Sequence, residues 1–165
     1  MSSPSELVRD FLNTADLEAE KDELSSPAEL ALWLRERGLA GERDRATDDD
    51  LGTALALREG IRAALGGRPA ELPALPLVAT PELVPVEDGV RGALAAIAVA
   101  LVRADRDRLK VCASATCQWA FVDSSKNRSR AWCSMKICGN RLKTRAYRTR
   151  RQVERRAQGP ITDTV

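Results

Sequence analysis

Four cysteines, Cys112, Cys117, Cys133 and Cys138, are the residues of this 165-residue chain best suited to chemistry. They read C-x4-C-x15-C-x4-C, two equal pairs separated by enough chain for a hairpin. Thiolates of this kind make closed tetrahedral zinc sites when two short loops bring them together. The chain has no histidine. That excludes Ser-His-Asp and Cys-His catalysis, zincin-type sites and iron centres built on two histidines and a carboxylate. A soft metal must therefore be held by sulfur, and four thiolates leave no open position for a reacting water. One structural zinc is the expected cofactor. The alternative, four unrelated thiols buried as small hydrophobes, suits an apolar segment better than this polar one.

A net charge of +2 conceals a division. Residues 1–105 hold 11 Lys and Arg against 20 Asp and Glu, a net of −9. Residues 106–165 hold 15 against 4, a net of +11, together with all four cysteines. Two modules are expected, divided between 105 and 106, the second attracted to polyanions. Lys126, Arg128 and Arg130 crowd a predicted turn. Arg141, Lys143, Arg145, Arg148, Arg150 and Arg151 continue along a predicted helix, with Arg155 and Arg156 beyond them. Arginine outnumbers lysine here, which suits phosphate forks. These nine residues, from Lys126 to Arg151, are the candidate nucleic-acid contacts, with Trp119, Trp132 and Tyr147 as rings for stacking. The competing reading is a solvated helix whose arginines pair with the acidic module.

Elements must position these groups. Leu7, Val8, Phe11 and Leu12 mark a first short helix. Residues 15–24 are strongly acidic and read as a loop or frayed extension. Ser26, Pro27 and Glu29 predict a capping box at a second helix, with Leu30, Trp33 and Leu34 inward and Gly38 as a left-handed stop. Thr47 and the three aspartates after it open a third helix, with Leu51, Ala54, Leu55, Ile61 and Leu65 inward. Five prolines between 66 and 89 forbid a helix, and Leu75–Val78 with Leu83–Val86 predict a hairpin. A fourth helix follows from Gly89 to Arg103, with Val90, Leu94, Ile97 and Leu101 inward. Residues 109–112 and 119–123 read as strands, with a turn at 124–128 between the two cysteine pairs. A last helix is predicted from Asn140 to Arg156, its inner stripe formed by Cys138, Leu142, Ala146, Thr149 and Val153. The expected fold is mainly α: a multihelical N-terminal domain with a short β hairpin, then a small treble-clef-like zinc module of hairpin plus basic helix.

At Cys138-Gly139-Asn140-Arg141, with Leu109-Lys-Val-Cys112, Cys117-Gln-Trp119-Ala-Phe121-Val-Asp123 and Trp132-Cys133-Ser-Met before it, the chain resembles the CGNR zinc finger. Asp10-Phe11-Leu12-Asn13-Thr14, Ser26 to Leu34 and Leu57-Arg58-Glu59-Gly-Ile61-Arg62 resemble the ABATE domain that usually precedes it. The resemblance implies a bacterial stress-induced transcription regulator with a helical N-terminal domain and a zinc finger that binds DNA. It assigns the zinc ligands to Cys112, Cys117, Cys133 and Cys138, the set already read from spacing. Asn140 is expected to support the turn after the last ligand, through its side chain or a left-handed backbone, and Arg141 to face phosphate or the acidic domain.

The leading functional expectation is a DNA-binding regulator whose acidic domain senses a small-molecule or protein effector and partly masks the basic module. A homodimer would supply a second half-site. The alternatives are a protein- or RNA-binding module stapled by zinc, and a zinc-thiolate redox switch. Enzymatic activity is not expected: Asp10, Asp16, Glu18 and Glu20 read as a solvated acidic stretch, and no Gly-rich phosphate loop or nucleophile motif is present. The polar first ten residues and the lack of a bilayer-spanning apolar run predict a cytoplasmic protein with no membrane partner and reduced thiols.

Overall fold

The computed structural model describes residues 3–79 and 82–157. Local signals place most helix ends. Helix α1 (Pro4–Leu12) starts where Ser3 accepts from the Glu6 N–H and the Glu6 carboxylate accepts in return from the Ser3 N–H. Helix α2 (Pro27–Glu36) is capped by the Ser26 hydroxyl, which accepts from the Glu29 N–H at 3.3 Å. The Glu29 carboxylate reaches one residue further back, to the Ser25 N–H at 3.0 Å, so the predicted box is displaced rather than closed. Gly38 takes the expected left-handed backbone, with φ of 68°. Helix α3 (Asp48–Leu65) opens on a complete box between Thr47 and Asp50. Helix α4 spans Gly89–Arg103, as its apolar pattern predicts.

These four helices share one core. Val8, Phe11 and Leu12 meet Leu30, Trp33, Leu34, Ala54, Leu57, Ile61, Leu94 and Ile97, all buried. The Phe11 and Trp33 rings lie 5.6 Å apart. The inward face of α3 differs from its prediction. Leu51, Leu55 and Leu65 are only partly buried, whereas Leu57 and two arginines, Arg58 and Arg62, lie inside. The arginines turn inward because carbonyls and carboxylates of neighbouring segments await them there, as described below.

The acidic stretch after α1 is not frayed. Strands β1 (Ala15–Asp16) and β2 (Lys21–Asp22) pair antiparallel, with Ala15 opposite Asp22. Ala15 and Leu24 are buried and anchor this small loop. Strands β3 (Leu77–Ala79) and β4 (Leu83–Pro85) form the predicted proline-flanked hairpin, Val78 opposite Val84.

Strands β5 (Leu109–Val111) and β6 (Ala120–Val122) pair antiparallel, Lys110 opposite Phe121. Their connection carries Cys112 and Cys117, so the hairpin encloses the first cysteine pair instead of lying between the pairs. Among the described residues no strand follows β6. The reason is burial: Leu109 and Ala120 join the core of the four helices, which fixes β6 beside β5. A π-helical turn (Met135–Gly139) then leads into helix α5 (Asn140–Ala157). The predicted inner stripe of α5 has little to pack against. Cys138 is buried, but Ala146, Thr149 and Val153 are exposed, because α5 rests on the π turn and projects away from the core; the side chain of Leu142 lies outside the described residues. Among the described residues, no helix is long and apolar enough to cross a membrane.

Candidate metal centre and basic surface

The four cysteine sulfurs lie within 4.8 Å of one another. Cys117 Sγ is 3.7 Å from Cys133 Sγ, which is 3.8 Å from Cys138 Sγ. Zinc–thiolate bonds of about 2.3 Å at tetrahedral angles require sulfur separations of about 3.8 Å. The donor set therefore fits zinc in both chemistry and spacing. Cys112, Cys117 and Cys138 are buried and Cys133 is half-buried. None of the four is in a disulfide, and as thiolates the four together hold a structural zinc.

Local structure explains how each sulfur arrives. The β5–β6 hairpin presents the first pair, and Gln118, with φ of 48°, turns the chain sharply after Cys117. Ser134 caps the π turn by accepting from the Ile137 N–H, and the turn brings Cys138 back toward Cys133. Gly139 is buried beside Met135. A β-carbon there would approach the Met135 sulfur to 3.2 Å, a tight contact that the exposed methionine side chain would have to relieve. Trp119 and Trp132 pack against the sulfur cluster. They are thus walls of the metal site, not the open stacking platforms expected; Tyr147, on α5, is the ring left exposed.

Burial and the neighbouring sulfurs raise the thiol pKa of Cys133, and burial pushes Cys138 up to about 11. Burial opposes ionisation at Cys112 as well, but the backbone N–H groups of Cys133 and Ser114 outweigh it and bring that thiol down. A dication supplies the charge that lets all four ionise together. Zinc in such a site contributes folding free energy and offers no vacant coordination position.

Between the cysteine pairs, Asp123 organises the chain. Its side chain is fully buried and accepts three bonds: Lys110 Nζ at 2.8 Å, the Ser125 N–H at 2.9 Å and the Arg130 N–H at 2.9 Å. Burial works against its charge, yet these donors prevail and hold the carboxyl well below the usual range. The sequence marks Asp123 only as a strand end; its position ahead of a Ser-Ser turn is the one signal of its role.

Polar side chains of the helices clamp the metal-bearing hairpin. The Asn13 amide pairs with Ala120 in both directions, donating to its carbonyl at 2.9 Å and accepting from its N–H at 2.8 Å. Arg62, 1% exposed, donates to the Leu12 carbonyl at 2.6 Å, the Gln118 carbonyl at 2.9 Å and the Glu59 carboxylate at 3.1 Å. Arg58 serves a different junction: it forks onto Asp22 of β2 at 2.7 and 2.6 Å and donates to the Thr14 hydroxyl at 3.0 Å.

The candidate nucleic-acid contacts separate into two sets. Around the turn, Arg128 pairs with Asp107 at 2.6 Å, and its carbonyl accepts from Lys110. Arg130 donates to the Cys133 carbonyl at 2.7 Å and lies over the Phe121 ring. Arg130 is thus half-buried within the finger, whereas the Arg128–Asp107 pair is exposed on both sides and Lys126 is exposed as well. On α5, Lys143, Arg148, Arg150 and Arg151 are all exposed, with Arg151 over the Tyr147 ring; the side chain of Arg145 lies outside the described residues. Arg141 forms an ion pair with Glu18 of the β1–β2 loop at 2.5 Å. That contact runs to the acidic region, one of the two directions expected for it. Asn140 is helical, φ −71° and ψ −38°, and not left-handed, because the π turn passes into α5 without a break. Lys136, absent from the sequence candidates because it lies between two ligands, joins Arg141 and Arg148 along one groove.

Residues 108–151 match the family model of the CGNR zinc finger. The match takes in the four ligands, the Asp123 turn and most of α5. No curated protein matches the chain.

Proposed function

We propose that this chain is a cytoplasmic DNA-binding regulator in which zinc anchors an arginine-rich helix and no catalysis takes place. The observation that carries the reading is α5. It is an eighteen-residue helix whose described side chains beyond its first residues are solvent-exposed and dominated by cations, projecting from a rigid metal-stapled base. A protein gains nothing in core packing from such a helix, but a basic helix offered to solvent suits a polyanion groove. The four thiolates complete the zinc coordination, which favours binding over hydrolysis.

The likeness of the N-terminal helices to the ABATE domain, and of the finger to a family described as stress-induced regulators, makes transcriptional control under stress the corresponding physiological role. In this reading the acidic helical unit receives the effector, and its contact with Arg141 restrains the finger. Selection of bound sequences from a random DNA pool, with an RNA pool run in parallel, tests the proposal. Enrichment of a defined DNA sequence by the zinc-loaded protein is expected; enrichment from the RNA pool alone, or from neither, would refute it.

A further inference from the structure

A groove of about 710 Å³ runs between the first cysteine pair and the beginning of α5. Among its described lining residues are three cations: Lys136 from the π turn, and Arg141 and Arg148 from α5. No carboxylate is among its described lining residues. Arg141 and Arg148 are seven residues apart, so they share one face of the helix and are separated by about 10 Å along its axis. Successive phosphates of one strand rise by about 3.4 Å, so that span corresponds to about three backbone steps. Thr116 and Asn140 add neutral hydrogen-bonding groups to the same wall. The attraction comes from side chains and not from a helix terminus: the N–H groups of Gly139 and Asn140 are already bonded within the π turn.

The three cations differ in how they are engaged. Among the described residues, Lys136 and Arg148 form no ion pair, whereas Arg141 is held by Glu18. That pair is exposed on both sides, with 55% of the Arg141 side chain and 43% of the Glu18 side chain open to solvent. Ion pairs this exposed are weak and exchange partners readily. A phosphate diester in the groove would offer Arg141 an equivalent anion with two further cations beside it.

We propose that this groove seats a short run of nucleic-acid phosphodiester backbone, with Lys136, Arg141 and Arg148 as its cations and Glu18 as the carboxylate that competes for Arg141. The inference rests on the nucleic-acid reading above and locates its phosphate contacts in the groove between the first cysteine pair and α5, away from the turn at 124–130. Anisotropy titrations of a labelled DNA duplex and the matching RNA duplex with full-length, zinc-loaded protein test it. The double variant K136A/R148A should bind about ten-fold more weakly and flatten the log K against log salt slope by about two. R43A/R106A removes the same charge from exposed positions outside both the groove and α5 and should cost no more than about three-fold. E18Q should tighten binding about two- to five-fold, as expected for release from an exposed pair. Zinc content and helical circular dichroism, unchanged in all three variants, certify the fold.

Wild-type binding with equal losses in the two double variants, or none in K136A/R148A, would overturn the groove and leave the nucleic-acid reading intact. So would an E18Q variant that binds more weakly than wild type. Tighter binding to the RNA duplex with the same order of variants supports the groove and changes its source of phosphate from DNA to RNA. No binding of either duplex by the wild type overturns the nucleic-acid reading, and this inference with it.

Discussion

Asp123 shows how one carboxylate can set the shape of a metal module. It carries three donors in a fully buried position and fixes the segment that leads from β6 to Cys133. Its folded-state pKa is depressed below the ordinary aspartate value of 3.8. The stability it contributes is therefore complete above that value and is lost as pH falls through the lower, folded value. D123N should lower the thermal unfolding midpoint at neutral pH by several degrees, because an amide cannot accept from all three donors. It should also flatten the acid-side decline of stability below about pH 4. Thermal melts of wild type and variant from neutral to strongly acid pH would check both effects; parallel declines with acid would place the loss elsewhere. Arg141 makes a complementary point at the same scale. Its position after the last ligand is legible in the chain, but its partner, Glu18, is separated from it by more than a hundred residues and is reached only through the fold.

At the scale of elements, helix ends and the metal ligands were the most legible features, because both depend on short spacings. Ser26 and Thr47 sit where capping chemistry puts them, and the two cysteine pairs converge as their symmetry requires. The β5–β6 pairing was less legible, since the alternation of residues 119–123 shows a strand without showing its partner. The face of α3 was misread for a related reason: Arg58 and Arg62 count as polar in any periodicity, yet they satisfy carbonyls and carboxylates from distant segments. Asn13 and Arg62 clamp the helices to the metal hairpin, through Ala120 and the Gln118 carbonyl, while Arg58 ties α3 to Asp22 and Thr14. Arg62 is the most buried member of the clamp. R62M should destabilise the protein by about 2–5 kcal/mol, since the buried Leu12 and Gln118 carbonyls lose their donor. It should also weaken zinc retention, because Gln118 follows Cys117 directly. Denaturant unfolding and zinc competition against a chelator would measure the two effects; a variant with lowered stability and unaltered zinc affinity would show that the clamp does not reach the metal.

For the whole molecule, the charge division between −9 and +11 is a matter of composition, and packing crosses it. Leu109 and Ala120 share a core with α1, α3 and α4, while the described side chains of α5 lie outside it. Metal removal should therefore act on the helices as well as the finger. Chelation is expected to lower the main thermal transition measured by far-ultraviolet circular dichroism, while Trp119 and Trp132 report the loss through fluorescence. A helical transition unmoved by chelation would mean that the metal supports the finger alone. In the same architecture zinc and the Asn13–Arg62 clamp form the base from which the exposed α5 extends.

That a zinc-stapled arginine helix binds DNA is tested most directly by the salt dependence of duplex binding for the full-length protein, zinc-loaded and metal-stripped. The account predicts that log K for the loaded protein falls with log salt at a slope of about −3 or steeper, and that stripping weakens binding at least about ten-fold. An affinity indifferent to salt, or identical with and without metal, would contradict it.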